Sequence, residues 1–310
     1  MVTGAAGFVA SNLVDKLLSI GFHVVGIDNL RTGKISNLEN ALRNKLFRFI
    51  ELDLMIEKSL LVEELKGIDE VYHLSANADV RFGPEDPYRD FNQNTLVTLN
   101  LLDAMRIANV NRVYFSSTGS IYGESNVFPT PETVSFPVQT SLYGASKLAC
   151  EGLIQAFCNT YGISASIFRF VSVLGPRYSH GHVKDFFDQI SFDPRSLTVL
   201  GNGFQSKSYV HVNDCVDGMI LVSELQTTPL EIFNIGLNEV CTVRDSVGWI
   251  VDEMKAKPIV QYGESDRGWT GDNPIIQLDS SKLRKLGWEP KLTIEESVRA
   301  TVQYLKVSNS

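Results

Sequence analysis

The sequence predicts an α/β protein: a doubly wound parallel sheet with a smaller C-terminal α/β substrate domain. Three observations carry this. Strand-like and helix-like segments alternate from the first residues to about residue 177, as parallel βαβ units require. A glycine turn, G-A-A-G-F-V-A at 4–10, joins the first strand to the first helix. The second strand ends on an acid, Asp28.

The elements follow in order. Val2-Thr3 ends the first strand. Only Met1 and Val2 precede Thr3-Gly4, where a central strand usually has about 5–6 residues; either the strand is clipped or the natural start lies upstream. Gly4 and Gly7 make a tight turn, and Ala10 lets the helix approach the sheet. From Ser11 to Ile20, Leu13, Val14, Leu17 and Leu18 share one helical face, and Gly21 stops the helix. His23 to Ile27 is a buried strand with Asp28 at its tip. The free N–H groups at the helix start suit a pyrophosphate, and Asp28 suits an adenosine ribose. This is a Rossmann-like nucleotide fold. A carboxylate at 28 repels a 2′-phosphate and favours NAD, while Arg31 keeps NADP open.

Further strands are expected at 45–54, ending near Asp53, at 70–80, ending at Ser75-Ala76, at 110–123 and at 163–177. Helices are expected at 92–109 and 142–161. Ligands of such sheets bind beyond the strands' carboxyl ends, so Asp28, Asp53, Ser75, Thr118 and Ser172 should line one crevice. Residues 175–196 read as loops and short helices able to form a lid, with His180 and His182 as loop residues; His73 reads as a packed histidine. The cofactor domain is expected at 1–170 plus 209–236, and the substrate domain at 171–208 plus 237–310.

The chain has 310 residues, 44% hydrophobic and 21% charged, with a formal net charge of -8. Such a surface repels a phosphate backbone, which argues against nucleic acid as a partner. No apolar run approaches the ~20 residues that span a bilayer, and no signal peptide is read at the N-terminus. The cysteines, Cys150, Cys158, Cys215 and Cys241, form no C-x-x-C pair and fit free thiols in a cytoplasmic protein. They and the histidines show no metal-ligand spacing, so no metal is expected.

In S-L-Y-G-A-S-K (141–147), Tyr143 and Lys147 share one helical face, about 6 Å apart at Cβ. An ammonium beside a phenol favours the phenolate and lowers its pKa toward working pH, which makes a general base.

T-G-A-A-G-F-V-A (3–10), S-S-T-G-S-I-Y-G (116–123) and Y-G-A-S-K (143–147) together resemble the extended short-chain dehydrogenase/reductase family, which includes nucleotide-sugar epimerases and dehydratases. R-F-V-S-V-L-G-P-R (169–177), G-N-G-F-Q-S-K-S-Y-V-H-V-N-D (201–214) and R-G-W-T-G-D (267–272) agree, so the resemblance spans nearly the whole chain. Within the family it looks most like the UDP-glucose 4-epimerases.

The resemblance implies that Gly4, Gly7, Phe8 and Val9 cradle the NAD pyrophosphate. Asp28, Asn29 and Leu30 would hold the adenosine ribose, with Arg31, Thr32 and Gly33 wrapping the same end, and Asp53 and Leu54 would meet the adenine. Leu74, Ser75, Ala76 and Asn77 would line the nicotinamide side, braced by Asn94, with Ser116 and Val171 completing the cofactor contacts. Thr118, Tyr143 and Lys147 match the catalytic triad; the Y-G at 122–123 fixes the register and favours Thr118 over Ser117. Thr118 and Tyr143 would also meet the sugar. Ser172, Lys184, Lys207, Arg267 and Ile276 are the remaining substrate-side candidates. Ser172 stands where most epimerases have Asn, and Lys207 where the family usually has Arg, which keeps charge but loses bidentate contact. Arg267 matches the family's second arginine loosely, with two extra residues before Gly271-Asp272. Ile276 stands where a larger tyrosine would exclude an acetamido group.

The implied reaction is epimerisation of a UDP-sugar at carbon 4, of the UDP-glucose/UDP-galactose type, through a transient 4-keto sugar. The alternative is a 4-ketoreductase, or an epimerase of another sugar or nucleotide. Family dehydratases carry an Asp-Glu pair just after the catalytic Thr, and decarboxylases a Glu in the second place; here Gly119 and Ser120 stand there. A homodimer is implied through the two long helices, with Leu99, Leu101, Leu102, Met105, Leu148, Leu153, Ile154 and Phe157 as apolar positions.

Overall fold

The structure, a computed structural model, describes residues 1–79, 83, 85–135, 138–225, 228–269 and 272–308. In chain order the elements are β1 (Val2–Thr3), α1 (Phe8–Ser19), β2 (Val24–Asp28), α2 (Glu39–Leu42), β3 (Phe47–Glu51), α3 (Lys58–Glu64), β4 (Val71–His73), α4 (Pro87–Asp90), α5 (Val97–Ala108), β5 (Arg112–Thr118), α6 (Leu142–Tyr161) and β6 (Ser164–Phe170). They continue with β7 (Ser172–Leu174), α7 (His182–Phe192), β8 (Ser196–Val199), β9 (Ser206–Lys207), β10 (Tyr209–His211), α8 (Val212–Leu225), β11 (Leu230–Ile235), β12 (Cys241–Thr242), α9 (Val243–Met254), β13 (Ile259–Tyr262), β14 (Ile275–Ile276), α10 (Ser281–Arg284) and α11 (Ile294–Ser308).

The chain divides into two compact units. The first comprises Met1–Ile121, Leu142–Arg169 and Gly218–Phe233. Its sheet has seven strands in the order β11-β6-β5-β4-β1-β2-β3. β1 pairs in parallel with β2 and with β4, so the order reverses there and the winding is double. Ligands of doubly wound sheets bind at such a switch, here beyond Thr3. Although β1 is only two residues long, the carbonyl of Met1 accepts the Tyr72 N–H at 2.8 Å and extends the ladder by a residue. Ile27, Leu61, Leu101, Leu102, Met105, Phe115, Ile154 and Ile167 belong to one buried core. Helix α6 spans the segment that the sequence predicts. Before α5, Phe91–Leu96 form a π-helical stretch rather than regular helix, and Asn109, left-handed at φ 59, closes α5.

The second unit comprises Tyr122–Ser141, Phe170–Asp217 and Asn234–Ser310. The single strand expected at 163–177 is in fact two. β6 ends at Phe170, and β7 pairs in parallel with β10. That pairing places 209–217 in the second unit, although the sequence groups them with the cofactor segment. The span 175–196, expected as loops and short helices, holds one eleven-residue helix, α7. Val183, Phe186, Phe187 and Ile190 bury one face of it, which anchors the segment as core. His182 opens this helix and its Nε2 lies 2.8 Å from Ser246 Oγ, so it is a fixed residue and not a loop residue.

Candidate active site

The turn after β1 is built by contact as much as by conformation. Gly4 is left-handed (φ +68), and a Cβ there would sit 2.8 Å from the Ser75 amide nitrogen. Glycine therefore lets the β1–α1 turn lie directly on the strand-end loop that holds Leu74, Ser75 and Ala76. Gly7 caps α1 without a side-chain bond, and no acid stands in the helix's first turn. The positive end of α1, with Phe8 and Val9 in its first turn, therefore carries no acid of its own and favours an anion.

Asp28 is buried at the tip of β2. Its carboxylate accepts the Ala6 N–H at 3.0 Å and the Leu30 N–H at 2.8 Å, with Leu30 held at φ 55. The carboxylate keeps acceptor capacity for a ligand's hydroxyl. Burial raises its pKa, and the backbone donors lower it. A Cβ on Gly33 would lie 2.9 Å from both carboxylate oxygens, so this glycine makes the room beside Asp28. Lys34 N–H and Asn37 Nδ2 both donate to the Ala6 carbonyl, which folds 29–37, with exposed Arg31 and Thr32, back onto the glycine turn. Asn29 Nδ2 donates to Asp53 Oδ2 at 3.2 Å, bringing those two together; Leu54 is buried, and its carbonyl accepts Asn100 Nδ2. These residues fit the phosphates and adenosine of a dinucleotide: a donor-rich turn, an acid for the ribose and a glycine gap beside it.

From the Leu74–Asn77 loop, expected to line the nicotinamide, hydrogen bonds run through the interior. Leu74 and Ser75 N–H donate to Thr3 Oγ1. Thr3 Oγ1 lies 2.8 Å from His73 Nδ1, and His73 Nε2 lies 3.0 Å from Thr98 Oγ1. Thr98 donates to the Asn94 carbonyl. The run is satisfied by a neutral His73 carrying its proton on Nε2, and burial holds its pKa near 3. His73 is thus the packed histidine expected. Asn94 receives the Asn77 N–H at 2.8 Å and donates to Ser146 Oγ at 2.9 Å, bracing the loop against α6. Ser116 Oγ donates to the His73 carbonyl.

Tyr143 and Lys147 lie on α6, and Thr118 ends β5 with its hydroxyl near enough to Tyr143 to favour the phenolate. Thr118 Oγ1 also accepts the Ser120 N–H at 3.1 Å, while its neighbour Ser117 is turned to Glu151. Lys147 is 2% exposed, with Nζ 4.4 Å from the centre of the Phe115 ring. Burial pushes its pKa down to about 8, against the fields of Cys150 and Glu151, which raise it. The expected lowering of the Tyr143 pKa is not seen among this chain's own groups. Burial first, then the Asp90 carboxylate, hold the phenol well above its usual value, and Thr118 lowers it. Desolvation dominates, because a buried phenol disfavours its own charged form.

The chain is similar to known proteins over nearly its whole length. The model of the NAD dependent epimerase/dehydratase family matches residues 1–236. The chain belongs to this family. UDP-glucose 4-epimerase of Mycolicibacterium smegmatis is 32% identical over 99% of this chain and 98% of its own length. Among solved structures, the UDP-glucose 4-epimerase of Thermotoga maritima with UDP-glucose is 32% identical with a TM-score of 0.88, covering 100% of this chain and 99% of that one. The UDP-glucuronic acid 4-epimerase of Bacillus cereus, in complex with UDP-glucuronic acid and NAD, is 28% identical with a TM-score of 0.90, covering 99% and 98%.

For an epimerase/dehydratase-family chain, the substrate-side candidates behave differently from a bare reading of charge. In the second unit Lys207 pairs with buried Asp272. Arg267 Nη1 donates to Glu124 Oε1 at 2.7 Å and to the Asp272 carbonyl at 2.9 Å, and Lys184 pairs with Asp188 on its own helix. The expected pool of cations for a diphosphate is therefore balanced by carboxylates, as partial burial demands. Ile276 is aligned with Lys207 across the β14–β9 pair, and Ser172 with Tyr209 across β7–β10. Val171 is buried, and its N–H donates to the Ile235 carbonyl. Thr270 and Gly271 of the R-G-W-T-G-D motif lie outside the described residues. The sequence reading missed Asp90, Glu124, Glu151 and Arg169. Glu151 had one signal, an acid on the apolar face of α6, one turn past Lys147.

Proposed function

We propose that the protein is a UDP-sugar 4-epimerase using NAD, acting on UDP-glucose and UDP-galactose, in which Thr118, Tyr143 and Lys147 convert the C4 hydroxyl to a ketone and back. The carrying observation is the contact of Thr118 with Tyr143 beside a buried Lys147, with Gly119 and Ser120 where a dehydrating or decarboxylating relative needs acids. Ser120 Oγ accepts a hydrogen bond from Thr118 Oγ1 at 3.2 Å, so that place holds a neutral hydroxyl.

Bound NAD supplies the hydride acceptor for the oxidation and the donor for the return. Gly4, Gly7, Phe8 and Val9 hold its phosphates, Asp28 its adenosine ribose, and the braced loop 74–77 its nicotinamide end. Tyr143 Oη takes the proton of the C4 hydroxyl and, once the sugar has turned so that the hydride returns to the other face of C4, gives the proton back to the C4 oxygen. Thr118 orients that hydroxyl through its hydrogen bond. Lys147, cationic below about pH 8, favours the phenolate against the burial that opposes it. Lys207, Arg267, Ser172 and Ile276 contact the nucleotide diphosphate and sugar.

Homodimer formation belongs to the same reading. Leu101, Leu102, Met105 and Ile154 are buried within the first unit's own core, so they do not make the contact. Leu99 (38% exposed), Ile107 (46%) and Tyr161 (51%) support it, since they leave an apolar strip on α5 and α6. Cytoplasmic residence is supported by four free cysteines. Among the described residues no helix is long and apolar enough to cross a membrane.

The test is incubation of the purified protein with separate UDP-sugars, followed by proton NMR for C4 inversion. Interconversion of UDP-glucose and UDP-galactose without net NADH consumption is expected. Stoichiometric NADH consumption would instead mark a 4-ketoreductase, and turnover of UDP-glucuronate alone would move the substrate.

A further inference from the structure

Beneath the Tyr143–Lys147 face lies a charge pair that the reaction as described does not use. Glu151 is 0% exposed, one helical turn past Lys147. Its carboxylate receives Arg169 Nε at 3.1 Å and Nη2 at 2.7 Å, and Ser117 Oγ at 2.5 Å. Arg169 belongs to β6, and Ser117 immediately precedes Thr118 on β5. One carboxylate thus ties α6 to two strands.

A pair of this kind is a poor source of stability. Apolar side chains of equal volume often hold a core as well or better, because both charges must leave water. Its position gives it another use. Ser117 immediately precedes Thr118, so a Ser117 hydroxyl held by Glu151 fixes the strand end from which Thr118 approaches Tyr143, two turns earlier on the same helix. Lys147 faces the Phe115 ring on β5, neutral His73 on β4, and Tyr143, Cys150 and Glu151 on its own helix, with Arg169 beyond Glu151 on β6. Within that group Glu151 supplies the carboxylate that favours an ammonium.

We propose that Glu151 is a positioning residue for the alcohol–ketone chemistry: through Ser117 it sets Thr118 against Tyr143, and through its charge it keeps Lys147 an ammonium over Phe115. The assignment rests on the epimerase reading above, but its decisive measurement does not.

The Cε chemical shift of Lys147 is followed against pH in isotope-labelled full-length protein, in the wild type and in Glu151→Gln, Glu151→Asp and the double variant Glu151→Leu/Arg169→Met. Loss of the carboxylate moves the Lys147 midpoint to lower pH. In both variants without it, kcat at neutral pH falls about tenfold while KM stays within about twofold. Glu151→Asp recovers part of both. The double variant melts no lower than wild type yet titrates like Glu151→Gln. A wild-type midpoint and kcat in either variant would show a purely structural pair and overturn the proposal. Should the Glu151 variants fail to fold, Ser117→Ala decides: lowered kcat with an unmoved Lys147 midpoint supports it, and unchanged kcat overturns it. A wild-type protein inactive on every UDP-sugar would defeat the epimerase reading, and the lysine titration would still judge Glu151.

Discussion

Arg267 reaches Glu124 across 143 residues of sequence, Nη1 to Oε1 at 2.7 Å, and the same nitrogen donates to the Asp272 carbonyl. The guanidinium is thus held in place and charge-balanced while still partly exposed. To grip a diphosphate it must exchange a carboxylate for a phosphate. Arg267→Ala is expected to raise the KM for the UDP-sugar about tenfold with kcat little changed, the mark of uniform binding lost. Glu124→Gln is expected to lower KM a few-fold, an effect that shrinks as salt rises, because both groups meet solvent. Steady-state kinetics at two ionic strengths read both.

Tyr143 is the one proton carrier in the proposed cycle. Tyr143→Phe keeps the ring and removes the hydroxyl. Its kcat is expected to fall by about a thousandfold, with UDP-sugar binding by calorimetry unchanged, since general acid–base contributions run to about 10²–10⁴. Thr118→Val, which loses only the orienting bond, is expected to fall less. Equal activity in Tyr143→Phe would remove the assignment.

How much of this was legible beforehand differs between residues for physical reasons. Gly4, Gly7 and Asp28 were legible because a tight turn and a ribose each demand one residue type at one spacing. Helix α6 was legible because its pattern is long and periodic. The break at Val171 was not, because β6 and β7 are both apolar and consecutive, and only the choice of partner strand separates them. The pairings of Lys207 with Asp272 and of Glu151 with Arg169 join residues 65 and 18 apart. No local period records such contacts. The sign of the Tyr143 shift was misread for the same reason, since spacing shows the lysine but not the burial.

Lys147 is expected to act against stability. Its folded pKa, about 8, lies below the ordinary lysine value of 10.5. Below pH 8 both states are protonated and the full burden of burying an ammonium is present; as pH rises from about 8 to 10.5 the unfolded state binds more protons and stability recovers. Lys147→Met should therefore be more stable than wild type at neutral pH, by about 2–3 kcal/mol at most. The gap should close toward pH 10. Urea unfolding of both proteins at several pH values checks the sign, and a gap that widened with pH would contradict it.

Leu99, Ile107 and Tyr161 give a direct test of assembly. All three are exposed on α5 and α6, and the Arg106 guanidinium lies over the Tyr161 ring at 5.4 Å, joining the two helices' surfaces. Ile107→Asp is expected to shift the protein from dimer to monomer in analytical ultracentrifugation while leaving the circular dichroism spectrum unchanged. A wild-type monomer at micromolar concentration would refute the dimer.

Ile276 stands beside a cation. Its Cα is aligned with that of Lys207 in the β14–β9 pair, so a larger side chain there narrows the space beside the Lys207–Asp272 pair. An acetamido group adds bulk to a sugar without adding charge, so its acceptance depends on that space. Wild type is therefore expected to turn over UDP-N-acetylglucosamine as well as UDP-glucose. Ile276→Tyr is expected to lower kcat/KM for the acetylated sugar about tenfold or more and leave UDP-glucose within about threefold, the scale of one steric mismatch in a pocket. Equal losses on both sugars would mean that the strand pair was disturbed rather than the gate narrowed.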